Sequence, residues 1–242
     1  MVRPYFIFKN VNCIELGIYI SQMPPEQYPI DEIEFIEVPG RDGYLTINKG
    51  RKLPITKVIE ATLLKKENRE IVRRWLTGEG ELILSTEPEA YYKARIVEPV
   101  EFVGTIRRGR KFKVEFLCQP WAYLLTGKNK IIITQKNTII NNPGEIAKPL
   151  IKIYGNGPVD LIVNNKIHKF DDINEYAIVD SELMEVYKDI SLVRYYGDFP
   201  ELQPGENIIS WTGDVTKIEI IPRWRRWLAY MIEMRQTLHT TE

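Results

Sequence analysis

Hydrophobic and polar residues alternate along much of this chain, and a period of two is the period of a β-strand with one buried face. The clearest example follows residue 110, where charged residues alternate with Phe112, Val114 and Phe116. Similar short runs, rich in β-branched and aromatic residues, recur between clusters of Gly, Pro, Asn and Asp, which favour turns. The pattern predicts a mainly β protein.

One segment of the first half has a helical period instead. Between residues 66 and 76, the charged residues are interrupted at helical spacing by Ile71, Val72, Trp75 and Leu76. Asn68 or a neighbouring residue can cap the start, and Gly78 stands near the carboxy-terminal cap position. The segment predicts one short helix that packs an apolar stripe on a sheet, with Trp75 as a core residue.

The first half also contains two predicted sharp connections. Residues 5–8 and 14–20 are extended runs joined by a turn, so we expect them to form an opening hairpin. Between the extended runs 32–38 and 44–47 stands the pentapeptide 39–43, Pro-Gly-Arg-Asp-Gly. Its glycines allow positive φ and its proline fixes φ, so it predicts a sharp turn between two strands.

A polar, glycine-containing connector at 126–129 predicts a domain boundary. We expect one domain over 1–125, a second over 127–228 and an extension over 229–242, for which a short docking helix and a frayed end both stay open. The second domain has extended runs at 130–134, 150–154, 159–163, 176–180, 208–211 and 217–221. Turn sequences separate them at 141–144, 155–158, 164–165 and 203–207. Short strands punctuated so regularly predict a β-sandwich.

Composition narrows the class of protein. Hydrophobic residues make up 44% and charged residues 27%, which is typical of a folded protein rather than a disordered one. Thirty-three Lys and Arg balance thirty-three Asp and Glu, so no net charge draws the chain to nucleic acid or an anionic membrane. No apolar stretch approaches the roughly 20 residues that span a bilayer, so we expect no membrane insertion. The first residues lack a secretory signal pattern, which argues against export by that route.

The residues that carry most enzyme chemistry are sparse. His168 and His239 are the two histidines and Cys13 and Cys118 the two cysteines, and neither set has the spacing of a zinc site. We expect the cysteines to be buried free thiols. The adjacent carboxylates at 171–172 are typical of a solvated loop, and no phosphate-binding loop or nucleophile elbow is present. The sequence predicts a non-enzymatic protein with no metal and no cofactor.

Four motifs follow one another in the first half, at 38–43, 75–78, 91–95 and 116–120. Their order and spacing resemble the amino-terminal domain of the distal tail protein (Dit) family of long-tailed bacteriophages. The resemblance implies an amino-terminal β-sandwich or split-barrel domain with one short helix. It also implies that these domains close a hexameric ring, which joins the tail tube to the baseplate or adsorption apparatus.

The second half resembles the jelly-roll or galectin-like β-sandwich that many distal tail proteins carry at the carboxy terminus. The comparison is based on the segments 178–181, 202–207 and 221–228. The family implies three kinds of partner: the tail tube protein, a tail-associated fibre or lysin-like protein, and receptor-binding or baseplate proteins. It implies a location at the virion tail tip, after assembly in the cytoplasm of the bacterial host.

Five residues of the first domain are candidate subunit or partner contacts. Arg41 and Asp42 either set the local turn geometry or reach a neighbouring subunit. Arg107, Arg108 and Arg110 form a basic cluster that either lies at a solvated hairpin tip or faces DNA in the channel of a ring.

Tryptophans of the second domain raise an alternative function. Trp224 and Trp227 are interleaved with arginines, which could form a carbohydrate or partner surface, although stacking of Arg on Trp is commoner. Trp211 lies in a strand pattern and is expected in the core. The alternative to a ring-forming protein is a carbohydrate-binding adsorption module that attaches to host cell-wall polysaccharide.

Overall fold

Antiparallel strands make up most of the chain in the computed structural model, which describes residues 3–103 and 109–226. The chain divides into two units, Met1–Ala122 and Tyr123–Glu242. Arg107, Arg108, Trp227 and the extension at 229–242 lie outside the described residues. Within the described ranges one α-helix is present, and no helix is long and apolar enough to cross a membrane. The prediction of a mainly β fold with one short helix is confirmed.

The first unit is built around one antiparallel sheet. Its elements are β1 (Phe6–Phe8), β2 (Val11–Asn12), β3 (Ile18–Gln22), β4 (Asp31–Glu37), β5 (Tyr44–Lys52), β6 (Ile55–Leu63), α1 (Arg69–Trp75), β7 (Gly78–Leu84), β8 (Ala90–Ile96), β9 (Phe102–Val103) and β10 (Arg110–Cys118). Neighbouring strands follow the order β2-β1-β7-β8-β10-β6-β3, and β9 pairs with β10. Strands β4 and β5 pair only with each other and form a separate two-stranded sheet.

Alternation along the long strands places one face in the core. In β6 and β10, the buried residues occur at every second position and include Ile59 and Phe116. Trp75 stacks on Phe6 with ring centroids 5.4 Å apart, and its Nε1 donates to the carbonyl of Phe8 at 2.8 Å. A stacked aromatic pair adds about 1 kcal/mol beyond the burial of its surface. Trp75 therefore anchors the helix to the sheet.

The helix is shorter than its sequence pattern. A turn of 3-10 helix at Lys66–Asn68 precedes α1, and Asn68 stands at the N-cap position. The Asn68 side chain makes no capping bond, and its Nδ2 donates to the carbonyl of Leu16 at 2.9 Å. Gly78 follows the helix with a φ of 65°, a conformation that side chains with a Cβ disfavour.

The opening hairpin forms with a different partner than the sequence predicts. Lys9 and Asn10 both have positive φ, so the chain reverses at once and β1 pairs with β2. The other edge of β1 pairs with β7, from far along the sequence. The second predicted run, which becomes β3, pairs with β6 instead. Because β2 and β7 occupy both edges of β1, no edge of β1 is left for the predicted pairing with β3.

The second unit is also antiparallel. Along the chain come β11 (Ala122–Leu124), which begins at the boundary, then β12 (Ile131–Ile133), β13 (Thr138–Asn142), β14 (Leu150–Val163), β15 (Lys166–Ile173), β16 (Tyr176–Asp180), β17 (Glu185–Lys188), β18 (Ser191–Leu192), β19 (Tyr195–Tyr196), β20 (Gly205–Ile221) and β21 (Arg225–Arg226). The main strand order is β12-β20-β14-β16-β17-β18. Strand β13 pairs with β20, and β15 pairs with β14 and β19. Inward side chains of these strands, among them Trp211, form a core that also includes Trp224, which lies between β20 and β21.

Two pairs of predicted short strands are each one long strand. The runs 150–154 and 159–163 join into β14, and 208–211 and 217–221 join into β20. The intervening glycines permit close approach of the two backbones rather than a reversal of the chain. A Cβ on Gly155 would lie 2.1 Å from the carbonyl oxygen of Asp214. The strands bend at register shifts here instead of turning.

Candidate subunit-contact surfaces

Polar residues of the second unit that could suggest chemistry have structural partners. The described ranges contain no group of three or more His, Cys, Asp or Glu residues placed to hold a metal ion. The Nδ1 of buried His168 donates to the carbonyl of Asp198, at 2.6 Å, and burial lowers the pKa of the imidazole. Asp171 is exposed and lies 3.5 Å from Arg194. These contacts are local to the second unit, and the buried Nε2 of His168 makes no hydrogen bond within the described residues.

The two-stranded sheet of β4 and β5 is a hairpin with both faces uncovered. One face carries Ile33, Phe35 and Tyr44, which are 45%, 62% and 58% exposed. The Phe35 and Tyr44 rings meet edge to face at 5.9 Å. The opposite face carries Leu45 and Ile47, which are 43% and 42% exposed. A lone two-stranded hairpin is marginally stable in water, and uncovered apolar patches mark interaction sites.

Ion pairs hold the hairpin on the side away from its tip. Arg51 binds the Glu32 carboxylate with two hydrogen bonds, one of them 2.9 Å from Nη2 to Oε1. The bond from Arg51 holds the pKa of Glu32 below its usual range. Lys49 pairs with Glu34. Exposed pairs like these contribute little stability singly, but they fix the register of the two strands.

The hairpin tip carries the predicted turn, with Arg41 and Asp42 exposed on it. The backbone N–H of Arg41 donates to the carbonyl of Val38 at 3.1 Å, and Gly40 and Gly43 have φ of 80° and 78°. Neither the Arg41 nor the Asp42 side chain has an ionic partner in the part of the chain that is described. The backbone therefore sets the turn, and both side chains stay available to a neighbour.

The other candidate contacts are distributed differently. Arg110 is half-buried at the start of β10, whereas Arg107 and Arg108 belong to the undescribed segment, so the structure does not place the basic cluster. Trp224 is 6% exposed and Trp211 4% exposed, within the core of the second unit. The structure therefore does not support Trp224 as a ring that stacks on a saccharide. Trp227 is undescribed.

Next to Trp224, the arginine that could have formed a surface cluster is bound internally. Arg223 donates two hydrogen bonds to Asp180, from Nη1 at 2.6 Å and from Nη2 at 2.8 Å. Burial raises the pKa of Asp180, but the bonds from Arg223 and from the backbone N–H groups of Leu183 and Glu182 outweigh it and lower the pKa. The motif at 178–181 thus marks a structural ion pair of the second unit.

Sequence reasoning missed the apolar residues that the hairpin leaves uncovered. Ile33 and Phe35 alternate with acidic residues, which is the pattern of any strand with one buried face. No signal in the sequence shows that nothing covers them. The tip residues Arg41 and Asp42 were found because Gly and Pro mark the turn around them.

Comparison with known proteins identifies the fold. No protein-family model matches the chain, and no curated protein matches it. Among solved structures, the chain is similar to the SPP1 Dit protein (gp 19.1), described as a paradigm of the hub adsorption apparatus in phages that infect Gram-positive bacteria. The TM-score is 0.69 at 15% identity, and the match covers 92% of this chain and 98% of that one. The predicted similarity to the Dit fold is confirmed.

Proposed function

We propose that this chain is a structural, non-enzymatic protein of a phage tail tip, and that its copies close into a hexameric ring. The observation that carries the proposal is the fold similarity to the SPP1 hub protein over nearly the full length of both chains. Fold similarity is shared by proteins of different function, so the site must support it as well. In this chain the support comes from the hairpin of β4 and β5.

The hairpin supports contact between copies. Its apolar residues lie on both faces, so a single flat partner would leave one face in water. A hairpin that inserts between neighbours has both faces covered, and in a closed ring each copy provides and receives the same contact. Arg41 and Asp42 at the tip would then pair with charges of the neighbouring copy. The near-zero net charge leaves little repulsion between copies.

The proposal includes the partners that such a ring requires. One side of the ring would bind the tail tube protein, and the other a tail-associated fibre or lysin-like protein together with receptor-binding or baseplate proteins. The ring would be located in the virion tail, after assembly in the cytoplasm of the host cell. DNA would pass through the channel, near the basic segment that contains Arg110.

The ring is tested by comparing the parent chain with a hairpin variant. We expect the parent to sediment as a hexamer, alone or with tail tube protein, and to form rings in negative-stain micrographs. Phe35→Glu combined with Ile47→Glu places a charge on each hairpin face, and we expect it to stay monomeric at concentrations that assemble the parent. The matched control is Ile132→Glu in the second unit, where Ile132 is 59% exposed and outside the hairpin.

The proposed ring is wrong if the parent remains monomeric both alone and with tail tube protein. It is also wrong in its use of the hairpin if the double variant assembles as the parent does. Circular dichroism checks that each variant is folded, so a loss of assembly is not mistaken for a loss of structure.

A further inference from the structure

Four isoleucines form a continuous stripe across the outer face of the second unit. Ile139 of β13 lies directly opposite Ile208 of β20, and Ile162 of β14 lies directly opposite Ile167 of β15. Ile162 also pairs with Ser210, two positions along β20 from Ile208, so the two isoleucine pairs are diagonal neighbours on the same face. These four residues are called the isoleucine stripe below.

The isoleucine stripe is separate from the core of the unit. Ile139, Ile208 and Ile167 are 56%, 47% and 51% exposed, and Ile162 is half-buried. Ile209, the next residue of β20, points to the other face and is fully buried. Single apolar residues are common on protein surfaces, whereas a contiguous uncovered group marks an interaction site.

The described chain ends beside one end of this stripe. Glu145 forms an antiparallel bridge with Arg225, and its backbone N–H donates to the Arg225 carbonyl at 2.8 Å. A Cβ on Gly144 would lie 3.6 Å from the Cβ of Arg226, so these two residues are adjacent. Because the bridge is antiparallel, the chain direction at Arg226 leads from Gly144 toward β13, which carries Ile139.

The residues that follow are long enough to reach the stripe and to cross it. Ile139 stands five residues before Gly144, and Met231 stands five residues after Arg226. Five residues of extended chain span about 17 Å, so Met231 can lie against Ile139. The stripe crosses four neighbouring strands, a width of about 14 Å, and a helix from Met231 to Leu238 would be about 12 Å long.

The sequence of this segment provides apolar side chains on one side. At about 100° per residue, Met231, Ile232 and Leu238 fall within an arc of about 120°, and Met234 stands next to that arc. Arg235 falls inside the same arc, where its aliphatic stem can lie on apolar surface while the guanidinium stays in water. The segment 231–238 is therefore suited to an aliphatic surface.

We propose that residues 231–238 cover the isoleucine stripe of their own chain. The direction of the chain at Arg226 leads to this uncovered surface, and the stripe and the segment both belong to the second unit. The inference does not depend on the proposed ring, because the contact is made within one chain. It gives the last residues of the sequence a role, which is to close an apolar face that other proteins would otherwise contact.

Cross-linking tests the contact in the full chain. Ile208→Cys is combined with Ile232→Cys, and the matched control combines Ile132→Cys with Ile232→Cys. Ile132 is 59% exposed and outside the stripe, and it stands five residues after Gly127, whose carbonyl accepts from the N–H of Arg223. A segment that was free in water would therefore reach both positions. With a short bismaleimide we expect about tenfold more cross-linked product for the stripe pair than for the control.

Isotope labelling shows whether the cross-link lies within one chain. Cys13 and Cys118 are buried, so the introduced thiols are the ones that react. Labelled and unlabelled chains are refolded together, cross-linked and digested, and an intrachain contact joins only peptides of the same label. Peptides of mixed label at a similar yield would show that the segment covers a neighbouring copy and would overturn the proposal. Equal yields at Ile208 and Ile132 would overturn the contact with the stripe.

Truncation gives a second readout. A chain that stops after Arg226 leaves the stripe uncovered, so we expect it to bind more of a hydrophobic fluorescent dye than the full chain does. Ile139→Ser with Ile208→Ser in the truncated chain should suppress that rise. The contact is wrong if the folded truncated chain binds no more dye than the full chain, or if the two substitutions leave the rise unchanged. Circular dichroism checks folding, and the cross-linking result decides if the truncated chain does not fold.

Discussion

At the scale of single residues, the second unit contains a largely buried ion pair between Asp180 and Arg223. The Asp180 side chain is 4% exposed, and its carboxylate accepts hydrogen bonds from both terminal nitrogens of Arg223. Removal of one member of a buried pair leaves the other charge without a partner. Removal of either partner should therefore lower the free energy of unfolding more than removal of an exposed ion pair does.

Asp180→Asn should lower the free energy of unfolding by about 3 kcal/mol, because Arg223 loses both bonds to a buried carboxylate, and its contact with Glu182, at 3.4 Å, is longer. Urea denaturation at neutral pH measures this loss. The control is Asp171→Asn, which removes an exposed pair at 3.5 Å and should cost about 0.5 kcal/mol or less. Since folding lowers the pKa of Asp180, its contribution is present above the unfolded pKa and is lost as pH falls. Equal effects of the two substitutions would contradict the assignment.

His168 gives the second unit a sensitivity to acid. Its pKa is lowered by burial, so the unfolded chain binds the proton more tightly than the folded one. Stability from this group is full above the unfolded pKa and falls as pH drops through it. We expect His168→Phe, which cannot be protonated, to lose less stability between pH 7 and pH 5 than the parent. Denaturation curves at both pH values measure the slope, and identical slopes would exclude His168 as a cause.

At the scale of elements, glycines inside β14 and β20 determine how closely the two longest strands approach. Gly155→Ala should destabilise the second unit by about 2 kcal/mol, because the new Cβ would lie 2.1 Å from a backbone oxygen that must move. Gly80→Ala is the matched control, since the nearest atom to its Cβ belongs to the flexible side chain of Lys9. Thermal unfolding compares the two, and a larger loss at Gly80 would reverse the argument.

The strands that alternation predicts well are those with one solvated face. Strand β10 follows its pattern because side chains on its outer face, such as Lys111, remain in water. The long strands of the second unit were split because Gly and Pro at 155–158 usually mark a turn, whereas here they permit a bend between neighbouring backbones. Local sequence cannot distinguish these cases, because the deciding atom, the carbonyl oxygen of Asp214, is far away in the chain.

At the scale of the whole molecule, the proposed ring gives the hairpin a role in assembly that its removal can separate from folding. The backbone N–H of Leu53 donates to the carbonyl of Ile30 at 2.9 Å, so the two ends of the insertion are adjacent. Replacement of residues 31–52 by a short Gly-Ser link should change the unfolding free energy of the first unit by about 1 kcal/mol or less. The same deletion should abolish rings in negative-stain micrographs. An unfolded deletion variant would show that the sheet depends on the hairpin.

Only part of the candidate surfaces could be predicted from the sequence, because some are formed by neighbouring residues and others by residues that are distant in the chain. The turn at Arg41 and Asp42 is local, so Gly and Pro reveal it. Glu60 lines one groove of the first unit together with Glu98 and Glu101, which are distant from it in sequence, and no sequence pattern reports that neighbourhood. Trp224 was a reasonable surface candidate beside its arginines, but Arg223 turns to Asp180 and the ring enters the core.

The separate sheet of β4 and β5 also has two open edges, because each strand pairs only with the other. Unpaired edges can add strands from any exposed chain, which is the route to aggregation. Strand β4 carries Glu32 and Glu34 and strand β5 carries Lys49 and Arg51, so the addition of a second copy's β4 to β4, or of its β5 to β5, would place like charges together. Neutralising these charges would therefore remove a barrier to edge-to-edge aggregation of the exposed hairpin.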